Sequence, residues 1–525
     1  MNGAESLVHT LLAGGVDVCF TNPGTSEMHF VAALDRIEGM RCVLGLFEGV
    51  VTGAADGYYR IAGRPASTLL HLGPGLANGL ANLHNAKKAR SGIVNVVGEH
   101  ASYHVALDAP LTSDIEGVAR PMSRWVKTSR SASAIAADGA EAIVEANSPP
   151  GRIATLVLPA DTAWNTVDAA SGPPGPDFAA RVAAARQPAR PDPAAVRAAA
   201  QELRAGGPTL LLLGGAALGP KALETAGRIA AATGCQIMSE FYTAKLSRGA
   251  GRVLAPRLPY AVDPAVKVLE SFRRIVLVGA KAPVAFFAYP DKPSVLAHPD
   301  ARFQTLAGFE DDLPAALEAL ADELGASKLA PAGVAQRAAV DALPDGRFSP
   351  EGIAAVLTAL LPENAIVVDE AVTTGRSFGA PTAGAAPHDW LCGMGGSIGF
   401  GLPCAVGAAV AAPDRKVIAL EGDGSGMYTL QSLWTMARES LDVTVVIFAN
   451  RSYQILRGEF AGVGAGAPGP RATDMLTLDR PDLDWTALAR GMGVEASRAE
   501  DLSQFATQLR RAIAHRGPSL VEVWL

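Results

Sequence analysis

The stretch VIALEGDGSGMYTLQSLWTMARESLDVTVVIFANRSY, residues 417–453, constrains the fold of this chain more than any other. It opens with an apolar run at 417–420, short enough for a buried strand, and turns sharply at Gly422-Asp423-Gly424. Tyr428, Leu430, Leu433, Trp434 and Ala437 then recur at helical spacing, and a second apolar strand at 443–449 ends in Asn450. A helix connecting two strands makes them parallel, so their carboxyl ends share one edge of the sheet. Asp423 and Asn450 sit at those ends and should converge beside the N-terminus of the intervening helix. Unpaired N–H groups at such a terminus bind phosphate. A carboxylate and an amide oxygen beside that phosphate are the hard donors that Mg²⁺ takes. These residues alone predict a metal-bridged diphosphate site on an α/β sheet.

The 525 residues suggest three or four domains at roughly 150 residues each. With 49% hydrophobic and 18% charged residues the chain can bury large cores, and its net charge of −7 gives no case for nucleic acid. Cys19, Cys42, Cys235, Cys392 and Cys404 are scattered without a C-x-x-C pair, which reads as reduced core cysteines of a cytosolic protein. No basic segment precedes an apolar N-terminal run, and no stretch approaches 18 uninterrupted apolar residues. The expectation is a cytoplasmic protein that neither enters a membrane nor binds nucleic acid.

Strand and helix patterns alternate through three regions. Residues 1–170 carry helices at 4–13 and 26–34 and strands at 16–20, 42–47, 66–71, 93–97 and 154–158. Residues 171–193, rich in Pro, Gly, Ala and Arg, read as an exposed linker. Strands at 209–213, 236–238 and 275–278 with a helix at 222–232 place a second domain at 190–325, and a second linker spans 326–350. The third domain covers 345–525. The fold class is therefore α/β, three doubly wound domains with mainly parallel sheets.

A Gly-Asp-Gly turn followed one helix later by a strand-end Asn resembles the diphosphate motif of the thiamine diphosphate (ThDP) enzymes. The three-region layout is similar to the pyrimidine-binding, central and diphosphate-binding domains of the ThDP-dependent decarboxylases and acetolactate synthases. The resemblance spans essentially the whole chain. It implies ThDP and Mg²⁺ as cofactors, with Asp423, Asn450 and the carbonyl of Ser452 on the metal and Gly422, Gly424, Ser425 and Thr373 near the diphosphate. In VLGLFEGVVTGAADGYYR, Glu48 taken alone would be a helix-start carboxylate. The resemblance makes it the catalytic glutamate that hydrogen-bonds N1′ of the aminopyrimidine. In CGMGGSIGFGLPCAVGAAVA it places Ile398 under the cofactor as a wedge, with Gly396 and Ile398 meeting the pyrimidine edge through their backbones. It also implies a homodimer or homotetramer whose sites are completed between subunits.

The segments TNPGTSEMHF and LLHLGPGLANG bring in Thr25, His71 and Asn78, and resemble those of benzoylformate decarboxylase, where residues at the Thr25 and His71 positions bind substrate and move protons. That enzyme's second histidine has Phe286 and Phe287 in its place here, and the paired histidines of pyruvate decarboxylases are missing from EHASYH. In SYQILRGEF, Ile455 and Glu459 share a helix face, which the resemblance directs at the substrate, with Glu459 where those decarboxylases have an apolar residue. Glu459 is either a pocket acid or an exposed partner of Arg457 or Arg471. The predicted pocket joins Thr25, His71, Phe287, Ile455 and Glu459, and the catalytic set is Glu48, His71, Thr25 and Glu459. The expected reaction is non-oxidative decarboxylation of a small 2-oxo acid, with carboligation as an extension and acetolactate synthesis as the alternative. No flavin segment is evident around LLLLGGAALG, so FAD is not expected. A nicotinamide oxidoreductase would need a strand-GxGxxG-helix order that is missing. A silent scaffold would have lost Glu48 or Asp423.

Overall fold

The computed structural model describes residues 1–340 and 342–525; Asp341, inside the second predicted linker, lies outside the described residues. Among the described residues three sheets form. The first contains β1 (Val18–Asn22), β2 (Arg41–Leu44), β3 (Ala66–Leu70), β4 (Ile93–Glu99), β5 (Trp125–Thr128) and β6 (Ile153–Pro159), all parallel, in the order β2-β1-β3-β4-β6-β5. Every residue of β3, β4 and β6 is buried, as expected of central parallel strands covered by helices on both faces. The second sheet has β7 (Thr209–Leu213), β8 (Gln236–Ser239), β10 (Arg274–Val278) and β11 (Arg302–Ala307) in the parallel order β11-β10-β7-β8.

The third sheet is built from β12 (Ile366–Glu370), β13 (His388–Cys392), β14 (Val417–Gly422), β15 (Val443–Ala449), β16 (Glu495–Ala499) and β17 (Ser519–Trp524), joined by β9 (Leu246–Arg248). Its order is β16-β17-β15-β14-β12-β13-β9, parallel except for the antiparallel β13–β9 pair. From β12 the chain runs to β13 on one side, then returns to β14 and β15 on the other. That reversal opens a crevice at the carboxyl ends of β12 and β14, the place where open α/β sheets bind ligands.

Several sequence expectations need correction. Residues 171–193 include a helix, Asp177–Ala185, whose Phe178 and Val182 lie one turn apart and are buried in the core of the first sheet; the Pro- and Ala-rich composition hid this two-residue anchor. β9 comes from the middle of the chain but completes the third sheet. The helix expected after Gly422 is broken into a single turn, Asp423–Gly426, and a helix at Ser432–Arg438, leaving Tyr428 exposed. Glycine is a poor helix former, and here Gly424 and Gly426 let Tyr453 and Trp485 pack against bare backbone. Cys42 is exposed rather than in the core, while the other four cysteines are buried. No helix among the described residues is long and apolar enough to cross a membrane.

The first and third sheets are joined by two helices, Glu48–Ala62 and Gly401–Ala411, whose backbones touch. A Cβ on Gly407 would lie 1.8 Å from the carbonyl oxygen of Ala54, and one on Gly57 would lie 2.1 Å from that of Cys404. Beside this contact Arg60 is buried, paired with Asp56 at 2.6 Å, and its Nη1 donates to the carbonyl of Cys392 at 2.7 Å. Ser91 donates to the same aspartate at 2.5 Å, and the Phe400 ring covers the guanidinium at 4.7 Å. A methyl group at Gly407 must push the two helices apart. Gly407→Ala is expected to lower stability by about 1–3 kcal/mol or more, read as a lower midpoint of the first urea transition.

Candidate active site

The ends of β14 and β15 converge as their connection requires. Arg451 takes a left-handed conformation (φ 53°), and its N–H donates to Oδ2 of Asp423 at 2.6 Å, while Oδ1 accepts the N–H of Gly424 at 2.9 Å. Asn450 Oδ1 accepts the N–H of Ser452 at 3.0 Å, which closes the loop into an Asx turn. Burial pushes the Asp423 carboxyl up to about 6, against the lowering pull of the Arg451 and Gly424 N–H groups. A buried carboxylate after β14 and an amide oxygen after β15 thus lie at neighbouring strand ends, linked by the Arg451 N–H. Both are oxygen donors, which suits a hard divalent cation.

Thr373 follows β12 on the neighbouring strand end, in a turn that begins at Val372 with φ 40°. Leu72, which follows β3 and His71 in the first sheet, has φ 45°. A branched or bulky residue at positive φ costs about 1–3 kcal/mol, and both sit at strand ends that face the candidate site. Beneath the crevice, Glu370 and Glu421 are register partners on β12 and β14. Gly401 N–H donates to Glu370 at 2.6 Å, and the Ser425 hydroxyl donates to Glu421, so Ser425 is tied to the strand end. Burial raises Glu370 to about 7 and, together with the charge of Glu370, raises Glu421 well above the usual carboxylate range. Sequence reasoning missed this pair; an acid ending each of two buried apolar strands was its signal.

In the first domain Glu48 opens the helix Glu48–Ala62 and is 9% exposed. Its Oε2 accepts the Asn78 amide at 3.0 Å, and a Cβ on Gly75 would stand 3.2 Å from Oε1, so glycine keeps one side of the carboxylate open. Thr25 is exposed at the start of a short 3₁₀ turn, Thr25–Glu27. The sequence reading did not single out Glu27, whose buried carboxylate accepts the Gly24 N–H and meets His71 Nδ1, each at 2.8 Å. A proton on Nδ1 satisfies that contact and leaves Nε2 as the exchangeable ring nitrogen. The Gly24-x-x-Glu27 spacing of a capping box was the available signal.

Contacts within the chain also join the first and third domains. The Asn82 amide donates both to the Gly49 carbonyl (2.8 Å) and to the Gly399 carbonyl (3.2 Å), joining the residue after Glu48 to the residue after Ile398. Asn85 donates to Ser397 at 2.8 Å, and His84 meets the Gly395 carbonyl at 3.1 Å. Gly396 has φ 72°, and the tip of Phe286 packs on it, 2.8 Å from where a Cβ would be. Ile398 is 37% exposed although apolar, so it faces open space rather than core.

Ile455 and Glu459 lie on the helix Gln454–Gly462, none of whose residues is buried. Glu459 accepts the Tyr289 hydroxyl at 2.8 Å, whereas Arg457 donates to Thr477. Neither Arg457 nor Arg471 is its partner, because Tyr289 reaches over from the second domain. Phe287 is exposed beside Phe286 at 4.8 Å between ring centroids.

Residues 1–118 match the family model "Thiamine pyrophosphate enzyme, N-terminal TPP binding domain", and residues 379–523 match its C-terminal TPP binding domain. A Mycobacterium tuberculosis protein with the provisional name acetolactate synthase large subunit IlvX is 51% identical over 100% of this chain and 99% of its own. Benzoylformate decarboxylase of Pseudomonas aeruginosa is 31% identical, covering 97% of this chain and 96% of its own. The solved ThDP-dependent 4-hydroxybenzoylformate decarboxylase of Rhodococcus jostii RHA1 superposes with a TM-score of 0.84 at 26% identity, over 100% of this chain and 99% of its own. The chain belongs to the thiamine pyrophosphate enzyme family, as a ThDP-dependent enzyme related to benzoylformate decarboxylase and acetolactate synthase.

Proposed function

We propose that this protein catalyses the ThDP- and Mg²⁺-dependent, non-oxidative decarboxylation of a small 2-oxo acid. The observation that carries the reading is the Asn82 bridge, which fixes the Glu48 helix against the Gly396–Ile398 segment on the sheet that bears Asp423 and Asn450. Asp423, Asn450 and the carbonyl of Ser452 would hold Mg²⁺, and the residues around Gly422, Gly424, Ser425 and Thr373 would hold the diphosphate. Gly396 and Ile398 would orient the pyrimidine through their backbones. When bound, ThDP supplies the electron sink that makes loss of CO₂ feasible.

The chain's own residues supply positioning and proton movement. Glu48, held by Asn78 and left open by Gly75, exchanges a proton with the aminopyrimidine edge. Decarboxylation converts R–CO–CO₂⁻ and one proton into R–CHO and CO₂. His71, oriented by Glu27, would supply that proton, and the exposed Thr25 hydroxyl would bind the substrate carboxylate. Carboligation, in which a second carbonyl compound takes the place of the proton, uses the same pocket. Acetolactate synthesis is the second reading, favoured by the 51% identical relative. FAD is left out of this reading, and a cytoplasmic homodimer or homotetramer is the proposed form, checked by light scattering.

Two substitutions test the cofactor assignment. Glu48→Gln is expected to bind ThDP with Mg²⁺ in a fluorescence titration yet lose about 10²–10⁴-fold in kcat. Asp423→Ala is expected to abolish the Mg²⁺ dependence of ThDP binding, measured by calorimetry with and without the metal. ThDP binding that ignores Mg²⁺ in the unaltered protein would remove the metal assignment. A 2-oxo acid panel scored for CO₂ and for acetolactate separates the two readings.

A further inference from the structure

We propose that the distal end of the substrate pocket is built for a cation, so that the preferred 2-oxo acid carries a guanidinium or ammonium group on its side chain, held by Glu459 among aromatic rings. This rests on the proposed ThDP-dependent decarboxylation and names the substrate class for it.

Glu459 is not placed by core packing, since the helix Gln454–Gly462 buries none of its residues. Its hydrogen bond is a neutral one, from the Tyr289 hydroxyl, and among the described residues it forms no ion pair; the nearby Arg457 is spent on Thr477. Tyr289 of the second domain bonds Glu459 directly, and Tyr260, Phe286 and Phe287 of the same domain pack in a row. Tyr260 and Phe286 have centroids 5.6 Å apart, and Phe286 and Phe287 4.8 Å apart. The Tyr289 hydroxyl donates to Glu459, and burial pushes the Tyr260 and Tyr289 phenols upward, so both stay neutral. Phe286 and Phe287 remain 42% and 52% exposed, an apolar lining left open rather than packed away.

The cluster is also aligned with the reaction centre. Phe286 packs on Gly396, the residue assigned to the pyrimidine edge, while Tyr289 packs beside Gly462 and holds Glu459 at the far end. A substrate whose 2-oxo carboxylate lies near Ile398 would therefore extend its side chain along the rings toward the carboxylate. Ring faces carry negative potential, so they repel an anion and attract a cation. A neutral side chain would shield Glu459 from water without pairing it, which costs free energy; a cationic one replaces the lost solvation with a charge-assisted hydrogen bond. Arg376, 5.1 Å from the Tyr260 ring centroid, shows that these rings already accept a guanidinium.

The test uses the full-length protein with saturating ThDP and Mg²⁺ and 2-oxo acids of equal chain length ending in a guanidino, ureido or carboxyl group, with benzoylformate as the aromatic comparison. The guanidino acid is expected to exceed its neutral ureido isostere in kcat/KM on the order of 100-fold, and Glu459→Gln to collapse that ratio. A second readout is calorimetric titration with the corresponding saturated guanidino and ureido carboxylates, which cannot be decarboxylated. The guanidino compound should bind more tightly, and the preference should vanish in Glu459→Gln. Equal or better turnover of the ureido, carboxyl or aromatic acid would overturn the cation site while leaving decarboxylation intact. Selectivity that appears only after Arg376→Gln would overturn it too, because Arg376 would then be the resident partner of Glu459. Absence of CO₂ from every acid would end this inference and the proposed function together.

Discussion

The contact on which the site depends is the backbone-to-backbone packing of the helices Glu48–Ala62 and Gly401–Ala411. At Gly57 and Gly407 there is no room for a Cβ against the carbonyl oxygens of Cys404 and Ala54. Because these helices begin at Glu48 and directly after the Gly396–Ile398 segment, their spacing sets the distance between a carboxylate and a loop that lie far apart in sequence. The buried Asp56–Arg60 pair reinforces the arrangement, since Arg60 also donates to the Cys392 carbonyl at the end of β13. Such a pair adds little net stability but penalises any arrangement that strands one charge.

Around that contact the molecule accepts local costs. Leu72 and Val372 hold left-handed backbone, Glu370 and Glu421 are buried side by side with both carboxyls raised, and Asp423 sits buried with a raised carboxyl. Each is unfavourable in isolation, and all lie at the carboxyl ends of parallel strands. Their concentration at strand ends beside one crevice is what a preorganised polar site requires, since the surrounding core over-determines their geometry. The aromatic cluster comes from the second domain, and Glu459 from a helix with no core of its own.

Much of this was legible in the chain. The apolar runs at 209–213 and 443–449 are strands with those bounds, because a fully buried parallel strand is marked by composition alone. The convergence of Asp423 and Asn450 followed from one strand-helix-strand unit. What escaped were features without local periodicity. The helix Asp177–Ala185 shows only two anchoring residues, and β9 has three residues and a partner far along the chain. Tyr289, the partner of Glu459, lies in a segment that gave no signal beyond its aromatics.

The sequence by itself determined the α/β class and the strand ends at Asp423 and Asn450, since each rests on short-range pattern: strand composition and turn glycines. Only the tertiary structure decided that Glu27 orients His71, that Asn82 ties Gly49 to Gly399, and that Glu459 faces tyrosine rather than arginine. Those pairings join residues whose separation in the chain carries no periodic signal. They are selected by which helices can approach closely enough, and glycine at two positions sets that approach.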